Sequence, residues 1–120
     1  MKILLVEDNA KMRALLRKTI TRYIAEVEKI YECDDGNEAV ALYSRVQPYW
    51  VIMDIELKTM DGLTATALIM KAHPAAKIII LTQYNDPLYR EAAQRAGAFD
   101  YVLKENIFEL AKIIHPDSKD

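Results

Sequence analysis

Trp50-Val51-Ile52-Met53-Asp54 is the stretch on which the fold turns: four apolar residues end abruptly in a carboxylate. Glu56 and the turn Lys58-Thr59-Met60-Asp61-Gly62 follow. A short apolar run bounded by turn residues predicts a strand buried on both faces. An aspartate where such a strand emerges sits at the carboxyl edge of the sheet, where open α/β folds bind ligands.

Outward from this stretch the same pattern repeats. Ile3-Leu4-Leu5-Val6 stops at Glu7-Asp8-Asn9, and Asn9 or Asp8 can cap a helix with Met12, Leu15, Leu16, Ile20 and Ile24 at helical spacing. The charged residues between them, from Arg13 to Arg22, read as a solvated face. Residues 26–33 mix charged and β-favouring side chains, as an exposed edge strand does. Asp34-Asp35-Gly36-Asn37 is a turn into an Ala-rich helix that closes before Pro48. A third helix spans Leu63 to about Ala72, with Leu63, Ala67, Leu68 and Met70 expected in the core. Ile78-Ile79-Ile80-Leu81 is a buried-type strand ending at Thr82. Asp86-Pro87 starts a helix, and Gly97 ends it in a left-handed conformation. Tyr101-Val102-Leu103 stops at Lys104, and a short amphipathic helix is expected over Ile107–Ile114.

These five strand–helix units predict a mostly parallel sheet with helices on both faces. Right-handed crossovers place all the strand carboxyl ends at one edge. Glu7, Asp8, Asp54, Thr82 and Lys104 therefore converge: three carboxylates, a hydroxyl and an amine.

At 120 residues and 52% hydrophobic, the chain is long enough for one domain with a real core. No apolar run approaches the ~20 residues of a transmembrane helix. The apolar start is interrupted at Glu7-Asp8 too early for a signal peptide. A single cysteine, Cys33, excludes an internal disulfide and fits a reducing, cytoplasmic setting. A net charge of −2 argues against direct nucleic-acid binding by these residues.

Crowded carboxylates raise at least one pKa unless a cation is present, and the cation suited to hard oxygen donors is Mg²⁺. A carboxylate can itself be a nucleophile and form an aspartyl phosphate. Phosphoryl transfer needs neutralised oxygens, which Mg²⁺, Lys104 and the Thr82 hydroxyl supply. No Gly-rich phosphate loop for a nucleotide is present. Each residue also has a plain structural reading. Asp54 and Glu7-Asp8 can be caps, Thr82 a strand-end hydroxyl bonded to backbone, Lys104 a surface lysine and Tyr101 a packing residue. Cys33, His73 and His115 have no partners in the sequence that point to catalysis, and Trp50 reads as core.

Taken together, these residues make the whole chain resemble a response-regulator receiver domain of two-component signalling. The matching pieces are Glu7-Asp8 after the first strand, Asp54 followed by Leu57, Met60 and Asp61-Gly62, and Thr82, Tyr101 and Lys104. The resemblance implies a flavodoxin-like doubly wound five-stranded sheet of order 2-1-3-4-5, with the domain over 1–115 and 116–120 a polar tail or linker start. It implies that Asp54 accepts a phosphoryl group from a sensor histidine kinase. Asp8, Asp54 and the Glu56 backbone carbonyl would hold Mg²⁺, with Glu7 acting through water. Lys104 would bind the phosphoryl group, Thr82 would move toward it and Tyr101 would swing inward. That motion would remodel the face of helix 4, strand 5 and helix 5, which can serve a homodimer or an output partner. Apart from phosphorylation and dephosphorylation of its own Asp54, such a domain is not an enzyme. Glu56 and Tyr84 would flank the path of a water attacking the phosphate.

Two positions depart from the family's habit. Lys58 stands where a proline is frequent, which predicts a more mobile turn. Glu105 rather than proline follows Lys104, which predicts a trans peptide or visible strain there. Lys104-Glu105 and Leu81-Thr82-Gln83-Tyr84 are similar to the subgroup that carries a helix-turn-helix DNA-binding output domain, here outside this chain. The competing readings are a haloacid-dehalogenase-like phosphatase, which also has an acid two residues after its aspartate nucleophile, and a phosphorylation-independent binding module.

Overall fold

The computed structural model describes residues 1–115; the expected polar tail at 116–120 lies outside the described residues. The strands are β1 (Lys2–Val6), β2 (Lys29–Cys33), β3 (Trp50–Met53), β4 (Ile78–Thr82) and β5 (Asp100–Leu103). They form one five-stranded sheet in the order β2-β1-β3-β4-β5, and every pairing is parallel. The helices are α1 (Ala10–Tyr23), α2 (Gly36–Val46), α3 (Gly62–Ala72), α4 (Pro87–Ala96) and α5 (Leu110–Ile113), with a 3₁₀ segment, Lys104–Glu109, before the last.

Alternation along the strands divides the core in two. Ile3, Leu5, Trp50, Ile52, Ile79, Leu81 and Val102 face Leu16, Ile20 and Ile24 at the α1 side and Leu110 and Ile114 at the α5 side. Leu4, Val6, Val51, Met53, Ile78 and Ile80 face the other way, onto residues of α2, α3 and α4 such as Leu42, Ile69 and Ala93. Both faces of the central strands are thus covered, which is why β1, β3 and β4 are continuous apolar runs. Trp50 is fully buried, edge-on to Phe99 at 5.0 Å, and its indole N–H donates to the His115 carbonyl at 3.4 Å.

Local chemistry sets the helix ends. Asn9, Asp35, Asp61 and Asp86 each cap a helix by accepting an early backbone N–H. Since Asn9 takes the α1 cap, Asp8 is left free of that task. Gly97 closes α4 at φ 97°, as its position predicts, whereas α2 closes on Gln47 at φ 43°, a left-handed residue that no glycine signals.

Four expectations are corrected. Leu15 is half exposed, and in α3 the buried residues are Ala65, Thr66 and Ile69; Ala67 and Leu68 point to solvent, and Leu63 and Met70 are half-buried. α3 is apolar on nearly every side, so its inward face is not legible from periodicity. The expected helix over Ile107–Ile114 is 3₁₀ up to Glu109 and α-helical only over Leu110–Ile113, and Asn106 just before it, at φ −114°, ψ 39°, kinks the path. The edge strand starts at Lys29, later than residues 26–28 suggest, and beyond Lys29 it is half-buried to buried rather than exposed.

Cys33 is buried, and burial pushes its thiol up to about 12. Below that value it stays protonated, so little of the nucleophilic thiolate forms at neutral pH.

Gly62 carries a packing constraint: a Cβ there would collide with the Asp54 carbonyl oxygen. Gly62→Ala should therefore cost about 2 kcal/mol, as an overpacked core site does, measured by urea unfolding. A change below ~0.5 kcal/mol, the range of a neutral surface substitution, would show that this contact relaxes freely.

Candidate functional site

Strand register builds the site. Val6 of β1 aligns with Met53 of β3, so Glu7 and Asp54 emerge side by side. The ladder runs one residue past each strand: Asp54 N–H donates to the Val6 carbonyl and Glu7 N–H to the Cys33 carbonyl, both at 3.0 Å. Thr82 aligns with Leu103, which delivers Lys104 to the same edge.

The outcome is a compact charge cluster. Carboxylate oxygens of Glu7, Asp8 and Asp54 lie within 4.8 Å of one another. The Lys104 ammonium sits 2.9 Å from Glu7 Oε1 and 3.1 Å from Asp54 Oδ2. Glu7 and Asp54 are only 1% and 5% exposed, while Asp8 is exposed at the rim. Asp54 Oδ1 accepts the Ile55 N–H at 2.8 Å, and Glu7 Oε2 accepts the Asn9 N–H at 3.1 Å. Glu7 Oε1 has Lys104 as an ion-pair neighbour and no aligned hydrogen-bond donor.

Three carboxylates against one ammonium leave the cluster short of positive charge. Burial, then the Glu7 charge, push the Asp54 carboxyl up to about 6, with Lys104 opposing. Burial alone would lower the Lys104 value, but Glu7 and Asp54 outweigh it and hold the ammonium above its ordinary range. The donor set consists of hard carboxylate oxygens with no His or Cys, which fits Mg²⁺ and does not fit zinc or copper.

The other expected residues lie close by with different partners. Thr82 is fully buried, and its Oγ1 accepts the Tyr84 N–H at 3.2 Å. Tyr101 is half-buried, and its hydroxyl donates to the Tyr84 carbonyl at 2.6 Å, with the Arg90 guanidinium 4.6 Å from its ring centroid. Both backbone groups of Tyr84 are thus held by the two expected switch residues, while its ring stacks on Tyr89 at 4.8 Å. Glu56 is exposed, accepts from Gln83 Nε2 at 3.4 Å, and raises the phenol of Tyr84 beside it.

Lys58 does not leave its turn untied. Its ammonium pairs with Asp34 at 2.9 Å, and Thr59 next to it takes a left-handed φ of 54°. The Lys104-Glu105 peptide is trans. His73 caps α3 through its backbone, and its Nε2 lies 3.2 Å from Ser44 Oγ, far in sequence from the acidic cluster.

The charge run of α1 is exposed at Lys11, Arg17, Lys18 and Arg22, as expected of a solvated face, but Arg13 is half-buried. Arg13 and Arg17 both pair with Glu32 of β2, at 3.3 and 2.6 Å, and Arg13 Nη1 donates to the Glu7 carbonyl at 2.7 Å. The only signal for this in the sequence is their i, i+4 spacing, which also fits an exposed stripe.

A family model for the response regulator receiver domain matches residues 3–115. The chain belongs to that family. As a receiver domain it is similar to a chemotaxis protein CheY of Thermotoga maritima, 35% identical over 98% of this chain and 95% of that protein. It is also similar to the transcriptional regulatory protein LiaR of Bacillus subtilis, 33% identical over 98% of this chain but only 56% of LiaR. Among solved structures, a LuxR-family two-component response regulator from Aurantimonas superposes with a TM-score of 0.88 at 30% identity, covering 98% of this chain and 91% of that one. A LuxR-family DNA-binding response regulator from Staphylococcus aureus gives 0.85 at 34% identity, covering 92% of each chain. The receiver domain has the expected sheet order, and among the described residues no helix is long and apolar enough to cross a membrane.

The raised Asp54 value sets a sign for stability. Between its ordinary value and about 6, the folded receiver domain binds more protons at Asp54 than the unfolded chain, so stability falls as pH rises through that window. Without metal, Asp54→Asn should be more stable than wild type at pH 7 by about 1–2 kcal/mol, a value discounted for solvent screening. Urea unfolding in a chelator should show the gap closing towards pH 4. A variant no more stable than wild type at pH 7 would contradict this.

Proposed function

We propose that Asp54 is the phosphoryl acceptor of a signalling switch driven by a sensor histidine kinase. The single observation that carries this reading is the Lys104 ammonium held between Glu7 and Asp54 beside a third carboxylate, at the edge where β1, β3 and β5 all end. With a value near 6 the Asp54 carboxyl is largely ionised at neutral pH, as a nucleophile must be. An Asp54 carboxylate oxygen forms a bond to phosphorus as the bond from phosphorus to the donor's imidazole nitrogen breaks, and the imidazole leaves with the electron pair.

Asp8, Asp54 and the Glu56 backbone carbonyl would hold Mg²⁺, with Glu7 acting through water. When bound, the ion supplies the positive charge that the cluster lacks and neutralises phosphoryl oxygens. Lys104 neutralises a further oxygen: once Asp54 is phosphorylated, its ammonium exchanges a carboxylate partner for a phosphoryl one. The Thr82 hydroxyl, now an acceptor for Tyr84 N–H, turns to donate to the phosphoryl group and so releases one of the two ties on Tyr84. Tyr101 holds the other tie, and its ring faces Arg90 of α4, so the change reaches the surface of α4, β5 and α5. Covalent charge thereby biases a two-state surface, which is the role we assign to this domain. The same face is our candidate for a homodimer or an output partner, including a DNA-binding domain outside these residues. Similarity to both a chemotaxis protein and a transcriptional regulatory protein supports an output of either kind.

Incubation with acetyl phosphate and Mg²⁺ should add one phosphoryl group, seen as a single mass increment. It should be lost in Asp54→Ala and absent without metal. An unmodified wild-type chain would overturn the proposal, and repeated turnover of a simple phosphate ester would favour the phosphatase reading. Glu56 and Tyr84, side by side here, shield the acyl phosphate from water, so Tyr84→Ala should shorten its half-life several-fold. An unchanged half-life would remove Tyr84 from that role.

A further inference from the structure

The turn that carries Glu7 and Asp8 is held by a residue outside the charge cluster. Arg13, in the first turns of α1, reaches back so that Nη1 donates to the Glu7 carbonyl at 2.7 Å. Its Nε lies 3.3 Å from Glu32 Oε1 on β2, and Arg17 holds the other oxygen of Glu32 at 2.6 Å. The Arg13 and Glu32 side chains are only 25% and 23% exposed, so this pair is better shielded from solvent than a rim contact. The carbonyl that Arg13 grips belongs to the peptide joining the two acids.

Every other polar group of Glu7 is already engaged. Its N–H donates to the Cys33 carbonyl, Oε2 accepts from Asn9 and Oε1 faces Lys104. Asp8 is different: it is exposed, and its position depends on the orientation of the Glu7–Asp8 peptide. A planar guanidinium can bind a carbonyl and a carboxylate at once, which a lysine ammonium does with less directional control.

We infer that Arg13 is a positioning residue that ties the acid-bearing turn to β2 through Glu32 and sets the cation affinity of the cluster without touching the ion. The inference rests on the acidic cluster being a Mg²⁺ site, as proposed above. Electrostatics alone predicts the opposite sign, because removing a positive charge near three carboxylates strengthens cation binding. Positioning predicts weaker binding, in the range of partners one shell removed from a metal. The sign of the change therefore separates the two.

The test compares wild type, Arg13→Met, Arg13→Lys and Arg17→Met by calorimetric titration with Mg²⁺ at fixed pH and ionic strength. In parallel, amide hydrogen exchange of Asn9 is followed without metal. Arg13→Met should bind Mg²⁺ about tenfold more weakly and Arg13→Lys should fall between it and wild type. Arg17→Met, which removes the same charge one turn away, should change affinity little. The Asn9 amide, which reports on the Glu7 carboxylate, should exchange faster in Arg13→Met even with no metal present. Arg13→Met binding as tightly as wild type or tighter, with Asn9 exchange unchanged, would overturn the inference. Wild type that binds no Mg²⁺ would overturn the metal reading itself, and an unchanged Asn9 amide would then refute the clamp separately.

Discussion

The Lys104 ammonium, wedged between the carboxylates of Glu7 and Asp54, is the contact on which the functional end of this receiver domain depends. Two nearly buried acids could not share that space without it, since each would meet an uncompensated like charge. It comes from the far end of the chain, and β5 delivers it only because Thr82 and Leu103 are in register. The folding of the last strand and the electrostatics of the first acid pair are thus one constraint. One ammonium does not balance three carboxylates, however, and the remaining imbalance is visible as the raised carboxyl of Asp54.

On the function proposed above, that imbalance would make the site responsive: a cation, a phosphoryl group or a proton would each alter how much of Lys104 is left for Asp54. The change has a short route outward, because Thr82 and Tyr101 both hold the backbone of Tyr84 and Tyr101 packs against Arg90. The opposite end of the sheet has a different character. Trp50 is sealed there by Phe99 and the ammonium of Lys77, and it serves the core.

Much of this was legible in the sequence, for identifiable reasons. Apolar runs that end in Glu7, Asp54, Thr82 and Lys104 mark strand ends unambiguously, and parallel topology forces those ends together. Asp86 and Gly97 mark helix ends by their own chemistry, and the Asp8-Asn9 pair marks the start of α1 without telling which of the two caps it. Illegible features depend on tertiary direction. The inward face of α3 is hidden because the helix is apolar on nearly all sides, so Ala65 and Ile69 rather than Ala67 and Leu68 meet the sheet. Arg13 is hidden because a charge at helical spacing looks the same whether it faces water or reaches back to a carbonyl. The Lys58–Asp34 pair is hidden because two loops distant in sequence meet only after folding.

The fold leaves the Asp54 carboxyl under-compensated, and its titration measures this directly. In metal-free protein labelled with ¹³C at aspartate carboxyls, the Asp54 resonance should titrate near pH 6. Added Mg²⁺ should move the midpoint down. An Asp54 resonance that titrates near pH 4, the ordinary aspartate range, with no response to Mg²⁺ would contradict the account.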